Sequence, residues 1–170
     1  MIIEQCYAYC DVSGVTGNVT GFIGIINTYP IIINNCYVRG SINRHTPSNI
    51  TPLDIYLSGF LPQVKEKNNT LDKCYSAVNY NFEDYETVTS KTKIYGIAYV
   101  NATAIRTYIL GTSYYDSSLT KAPEKQTGEI GYDRTTEEMK TKSTFFTFDF
   151  SNIWNIDQNI NDGYPYLRNV

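Results

Sequence analysis

Four cysteines, a single histidine and a few clustered carboxylates are the side chains of this sequence with chemistry to offer. Thiolates serve as nucleophiles or soft metal ligands, and paired carboxylates serve as acid and base. Cys6, Cys10, Cys36 and Cys74 contain no C-x-x-C pair, and His45 is the sole imidazole, so a four-ligand zinc centre is not expected. His45 stands between Arg44 and Thr46 in a Pro- and Asn-rich stretch, without the Ser or Cys context of a catalytic triad. Glycoside cleavage needs two carboxylates held across a cleft. Glu83, Asp84 and Glu86 fall in an expected loop, and Glu137 and Glu138 on the outside of an expected helix, so both groups read as solvated charge. The stretch "DQNINDG" presents Asp157, Asn159, Asn161 and Asp162 in the manner of a calcium loop. Asp162 occupies the sixth place, where an EF-hand has Gly, and Arg168 the twelfth, where it has Glu, so a turn is the better reading. No catalytic residue, metal or cofactor is expected.

The cysteines instead mark a repeat. Cys6-Tyr7, Cys36-Tyr37 and Cys74-Tyr75 recur at intervals of roughly 30–40 residues, the range of stacked-repeat architectures. Ser113-Tyr114 reads as a degenerate fourth copy. Side chains on a strand alternate faces. In "IIINNCYVRGSI", Ile32, Cys36, Val38 and Ile42 share one face, and Asn35, Tyr37, Arg39 and Ser41 the other. In the first copy Cys6, Ala8, Cys10 and Val12 oppose Tyr7, Tyr9, Asp11 and Ser13. The cysteine face is the apolar one in both; the third copy is noisier and the fourth hardly follows the pattern. Parallel stacking of equivalent strands, about 4.8 Å apart, then predicts a column of inward cysteines and one of outward tyrosines. That spacing exceeds the Cβ separation of about 3.5–4.5 Å that a disulfide favours, so free thiols are expected. Tyr7, Tyr37, Tyr75 and Tyr114 become the candidate binding residues, an exposed aromatic strip suited to sugar rings or a protein partner. The alternative is that stacked tyrosines only stabilise neighbouring strands.

The elements that position these columns follow from the rest of the pattern. Gly-apolar segments, "TGFIGII" at 20–26, "SGFLPQV" at 58–64 and "YGIAYV" at 95–100, read as a second strand in each repeat. Stretches 43–54 and 79–93 are rich in Pro, Asn or charge and read as loops leaving the stack. Thr135 with Glu138 forms a capping box, predicting a short helix over 136–142. Phe145, Phe146, Phe148, Phe150, Ile153 and Trp154 then supply dense apolar mass before the turn "NDGYPYL". We expect residues 1–134 to form stacked coils and 135–170 a cap over the unpaired end of the stack, within one domain. The chain opens inside a repeat, at "IIEQCYAY", which predicts further repeats upstream. A net charge of −3 gives no electrostatic support for nucleic acid or an anionic membrane, and no apolar run reaches the roughly 20 residues of a membrane span. The opening residues also lack a basic start followed by an apolar stretch.

These residues resemble the GLUG motif, a Gly-Leu-any-Gly repeat of large bacterial surface proteins and some secreted peptidases. "GFIG" at 21–24 fits its core with Phe22 for Leu, whereas "GFLP" and "GIAY" keep only the first Gly. "IIINNCYVRGSI" is similar to the companion strand, and "SYYDSS" with "TTEEMKTKSTFFTFDFSNIWNIDQNINDGYPYL" is similar to the usual array terminus. Ser113 for Cys and Tyr115 for Trp depart from it. The resemblance implies an all-β, parallel β-solenoid, a right-handed β-helix, with a C-terminal cap containing one short helix. It also implies a secreted or cell-surface setting. The expected function is a non-catalytic extracellular module displaying loops and an aromatic face to a host glycan or surface protein. The alternatives are a structural spacer and a carbohydrate-active β-helix.

Overall fold

Residues 1–15, 17–24, 30–45, 55–64, 69–82, 92–100, 109–120 and 129–169 are described by the computed structural model. The first repeat contributes β1 (Ile2–Glu4), β2 (Tyr7–Gly14) and β3 (Gly17–Thr20). The second contributes β4 (Ile32–Asn34), β5 (Tyr37–Arg44), β6 (Ile55–Ser58) and β7 (Leu61–Val64). The third contributes β8 (Thr70–Asp72), β9 (Tyr75–Phe82), β10 (Thr92–Tyr95) and β11 (Ala98–Val100). Then come β12 (Ile109–Leu110), β13 (Tyr114–Asp116), the helical turn α1 (Ser117–Thr120), β14 (Glu129–Ile130) and β15 (Tyr132–Arg134). The chain closes with α2 (Thr136–Met139), β16 (Trp154–Asn155) and β17 (Tyr166–Leu167).

The protein is mostly β, with parallel sheets and few helices. Equivalent strands of successive repeats lie side by side. β1, β4, β8 and β12 form one sheet; β2, β5, β9, β13 and β15 form a second; β3, β6 and β10 a third. β7 and β11 pair in parallel, and β14 joins them antiparallel. Register is strict where it bears on the columns: Tyr7 faces Tyr37, Tyr37 faces Tyr75, Tyr75 faces Tyr114, and Tyr114 faces Tyr132.

Two local devices turn the chain between sheets. Gln5, Asn35 and Lys73, just before each Cys-Tyr step, share a left-handed backbone with φ of 50°, 50° and 49°. For Gln and Lys this conformation costs about 1–2 kcal/mol. Hydrogen bonds to carbonyls of the next repeat hold the first two corners: Gln5 N–H donates to Asn34 O and Asn35 N–H to Asp72 O, each at 3.2 Å. The second device is glycine. The Gly-apolar segments are not single strands, as expected from sequence; Gly59 and Gly96 sit in bends that separate β6 from β7 and β10 from β11, and Gly21 bends the chain after β3. There the backbone passes so close to the second sheet that a Cβ on Gly21 would lie 2.7 Å from Val38 Cγ2.

From the Cys-Tyr step onward the inferred alternation extends to all four copies; before it the left-handed corner at Asn35 shifts the parity, so Ile32, expected on the cysteine face, is 39% exposed and Ile31 and Ile33 are buried instead. Cys36, Val38, Ile42, Cys74, Val78, Tyr80 and Tyr115 belong to one buried cluster; Tyr37, Tyr75, Ala77 and Tyr114 belong to another. The strands run further than expected, since β5 continues to Arg44, β9 to Phe82, and β10 resumes at Thr92. The remainder of the expected loops, 46–54 and 83–91, lies outside the described residues. The capping box is present: Thr135 Oγ1 accepts from Glu138 N–H, and the Glu138 carboxylate accepts from Thr135 N–H at 2.8 Å. The helix is shorter than expected, ending at Met139, with a 3₁₀ turn over Lys142–Phe145.

Gly40 tests the stacking directly. Its φ is +122°, and a Cβ there would land on the carbonyl oxygen of Cys10 in the adjacent strand. Gly40→Ala is expected to cost at least about 2 kcal/mol, read as a lowered urea midpoint. Gly24→Ala, whose Cβ meets nothing within 4 Å, is expected to stay within about 0.5 kcal/mol of the parent.

Candidate functional site

The tyrosines form the column expected, but not an exposed one. Tyr37, Tyr75 and Tyr114 are buried at 3%, 0% and 0% exposure, and only Tyr7, at 44%, keeps an open face. The rings of Tyr7 and Tyr37 stack at 5.1 Å and 9°, and those of Tyr37 and Tyr75 at 5.1 Å and 1°. Tyr132 extends the column by a place that sequence reasoning missed, because Gly131 precedes it instead of Cys, and it is 51% exposed. The column is therefore open at its two ends and covered between them.

The cover is residues 135–169, which expectation had placed over the end of the stack. Strands β14 and β15 join that end, and the C-terminal segment lies along its flank as a strap. The physical reason is area: the tyrosine face is itself apolar, and Phe145, Phe148 and Trp154 bury more against a sheet face than against an edge. Trp154 is fully buried; its ring lies 6.1 Å from Tyr37, 6.0 Å from Tyr75 and 4.8 Å from Phe148. Its Nε1–H donates to Asn35 Oδ1 at 3.0 Å, so the corner residue of the second repeat anchors the strap. Phe145 meets Tyr114 edge-on at 5.1 Å.

Polar contacts fix the strap in place. Asn161, Asp162 and Gly163 all have positive φ, forming a tight turn that offers its groups to Arg39. Arg39 Nη1 donates to Asn161 O at 2.8 Å and to Asn161 Oδ1 at 2.7 Å; Nη2 donates to Asp162 Oδ2 at 2.7 Å. The guanidinium also lies over the Tyr164 ring, 4.6 Å from its centre. Tyr9 Oη donates to Asn161 Oδ1 at 2.5 Å, and Tyr75 Oη donates to Pro165 O at 2.5 Å. In the fourth repeat the fully buried Asp116 is a hub. Its Oδ1 accepts from Ser118 N–H and Leu119 N–H, capping α1, while Oδ2 accepts from Thr136 Oγ1 at 2.8 Å and Tyr164 Oη at 2.6 Å. Burial pushes the phenols of Tyr37, Tyr75 and Tyr164 up, with Asp116 adding to the shift of Tyr164, so they act as neutral donors. The strap thus touches the first repeat at Tyr9, the second at Asn35 and Arg39, the third at Tyr75 and the fourth at Asp116.

The other sequence candidates are placed as follows. All four cysteines are free thiols; Cys36 and Cys74 are buried, Cys10 half-buried and Cys6 exposed at the outer end of its column. Ser113 takes the fourth place, its hydroxyl accepting from Cys74 N–H at 3.2 Å. Asp157 Oδ1 accepts from Asn159 N–H at 2.8 Å, and Asp162 is engaged by Arg39, so the "DQNINDG" carboxylates serve a turn and the strap. Glu138 caps α2, His45 lies just past β5, and Glu83, Asp84 and Glu86 fall outside the described residues. Arg39, Asn161 and Asp116 were not legible as a set, since no spacing rule links residues this far apart in the chain.

Removing the large ring at the centre should loosen the whole strap. Trp154→Ala is expected to cost about 3–5 kcal/mol, with loss of the near-ultraviolet circular dichroism of the packed tyrosines. Acid should act on the same contact. The hydrogen bond from Arg39 holds the Asp162 carboxyl below its ordinary value. Its contribution is complete above the unfolded value of about 3.9 and is lost as pH falls through the lower, folded value. Trp154 fluorescence followed down in pH is expected to report strap release at strongly acid pH, with that component missing in Asp162→Asn. No family model, no characterised protein and no solved structure matches this chain.

Proposed function

We propose that the chain is a non-catalytic extracellular repeat module, a parallel β-solenoid of the GLUG type, that serves as a rigid mount in a larger surface assembly. The observation that carries this reading is the register-matched stacking of Cys-Tyr strands bridged along its length by one strap. A unit in which every repeat is tied to the same C-terminal segment resists bending between repeats, as a display stalk requires. Adhesion is the expected use of the surfaces such a mount presents. The buried tyrosines are removed from that role, and the aromatic surface left for a glycan or protein partner is Tyr7 at 44% and Tyr9 at 58% exposure, beside the edge of β2. A second reading, a spacer with no ligand of its own, is favoured by the burial of Tyr37, Tyr75 and Tyr114.

Glycan-array and cell-surface binding separate the two. The adhesive reading expects binding that falls when Tyr7 and Tyr9 are replaced by Ser; binding indifferent to that pair, or none, leaves the spacer. Depolymerisation of a polysaccharide by the purified chain would overturn both in favour of a carbohydrate-active enzyme.

A further inference from the structure

Cys6, Cys36 and Cys74 hold one side-chain conformation. Each Sγ–H donates to the carbonyl oxygen two residues earlier, Glu4 O at 3.2 Å, Asn34 O at 3.2 Å and Asp72 O at 3.1 Å. The flanking residues are in register, Glu4 with Asn34 with Asp72, and Tyr7 with Tyr37 with Tyr75. Identical rotamers on paired parallel strands repeat at the strand spacing, so successive sulfurs stand about 4.8 Å apart along the stacking axis. A bond between them would require both side chains to leave this conformation. A d¹⁰ ion needs no such movement. Thiolate sulfur sits about 2.3 Å from zinc, so a similar ion midway between two sulfurs spans about 4.6 Å in a straight line. Among the described residues no three His, Cys, Asp or Glu side chains converge as a metal-holding group, so the geometry on offer is two-coordinate.

We propose that Cys6 and Cys36 form a linear two-thiolate site for a soft monovalent cation such as Cu(I) or Ag(I). Soft thiolate ligands select such ions over harder ones. The outer pair is the one assigned because Cys6 is exposed and gives the ion a path, whereas Cys74 is buried beneath Cys36. Binding replaces two S–H protons: one cation and two thiols give one S–M–S unit of charge −1 and two released protons, with no change of oxidation state. The bound ion fastens the first repeat to the second at an end where β1, β2 and β3 are each the edge of their sheet. Cys10 is an internal control, since it faces Gly40 in register and has no thiol above it.

Ag(I) is the probe, added as nitrate in chloride-free buffer to the fully reduced 170-residue chain. Native mass spectrometry is expected to show one silver per monomer, a proton titration two protons released per silver bound, and X-ray absorption a shell of two sulfurs. Cys6→Ser and Cys36→Ser are expected to lose this species and its upward shift in melting temperature, while Cys10→Ser keeps both. Cys6→Ser alters an exposed position, so it decides the matter even if Cys36→Ser fails to fold. Equal uptake in all variants, three or more sulfurs around silver, or silver found only in chain dimers bridged through Cys6, would overturn the assignment.

Discussion

Parallel register is the constraint on which the rest of this protein depends. When one strand is laid on its equivalent in the next repeat, every side chain meets its own counterpart about 4.8 Å away. A residue type is therefore a choice made for a whole column. On the inner face the choice is cysteine, a small apolar side chain that packs without a gap and ends in Ser113 where the repeat degenerates. On the outer face the choice is tyrosine, and flat rings 5.1 Å apart create an apolar flank that has to be covered. The strap is the answer to that requirement. Ordinary stacked repeats contact only their neighbours; here a single segment reaches all four, so the repeats share one packing problem.

The strap interface shows how a large apolar contact is given a unique position. Phe145, Phe148 and Trp154 supply the burial but would tolerate sliding along so uniform a surface. Hydrogen bonds remove that freedom. Trp154 reads the corner at Asn35, Asn161 reads Arg39 and Tyr75, and Tyr164 reads Asp116. Two of these partners differ from their neighbours in the adjacent strands: the places equivalent to Arg39 in β2 and β9 hold Tyr9 and Ala77, and those equivalent to Asn35 hold Gln5 and Lys73. A strap shifted by one repeat would bury the carboxylate of Asp116 and the guanidinium of Arg39 without partners, at a cost of several kcal/mol.

Legibility in the sequence followed the range of the interaction. The Cys-Tyr alternation, the parallel columns, the capping box at Thr135 and the turn at Asn161 rest on neighbours a few residues apart, and each left a pattern of residue types. The Gly-apolar segments were misread as single strands because a Gly before Phe, Leu or Ile looks the same in a strand as at a bend; only the closeness of the opposite sheet separates the two. The left-handed corner was hidden in another way. Gln5, Asn35 and Lys73 share a backbone conformation without sharing a residue type, since stacking fixes the dihedral and leaves the side chain free. The exposure of the tyrosines was misjudged because their cover comes from the far end of the chain. The aromatic mass at 145–154 was visible, yet alternation says which face a residue occupies and not what lies on that face.

The separation between Tyr9 and Asn161, 152 positions, carries a consequence for how the protein is made. A chain emerging from the ribosome completes its three Cys-Tyr strands and the Ser113-Tyr114 strand well before the residues that shelter them exist. For that interval the rings stand in water on one side, a greasy stripe available to any other nascent chain. Docking of the final segment is then a late event whose long loop closure slows it. Synthesis that halts short of Trp154 would leave a partly built sheet with nothing to hide its aromatic flank, a form suited to chaperone capture and disposal.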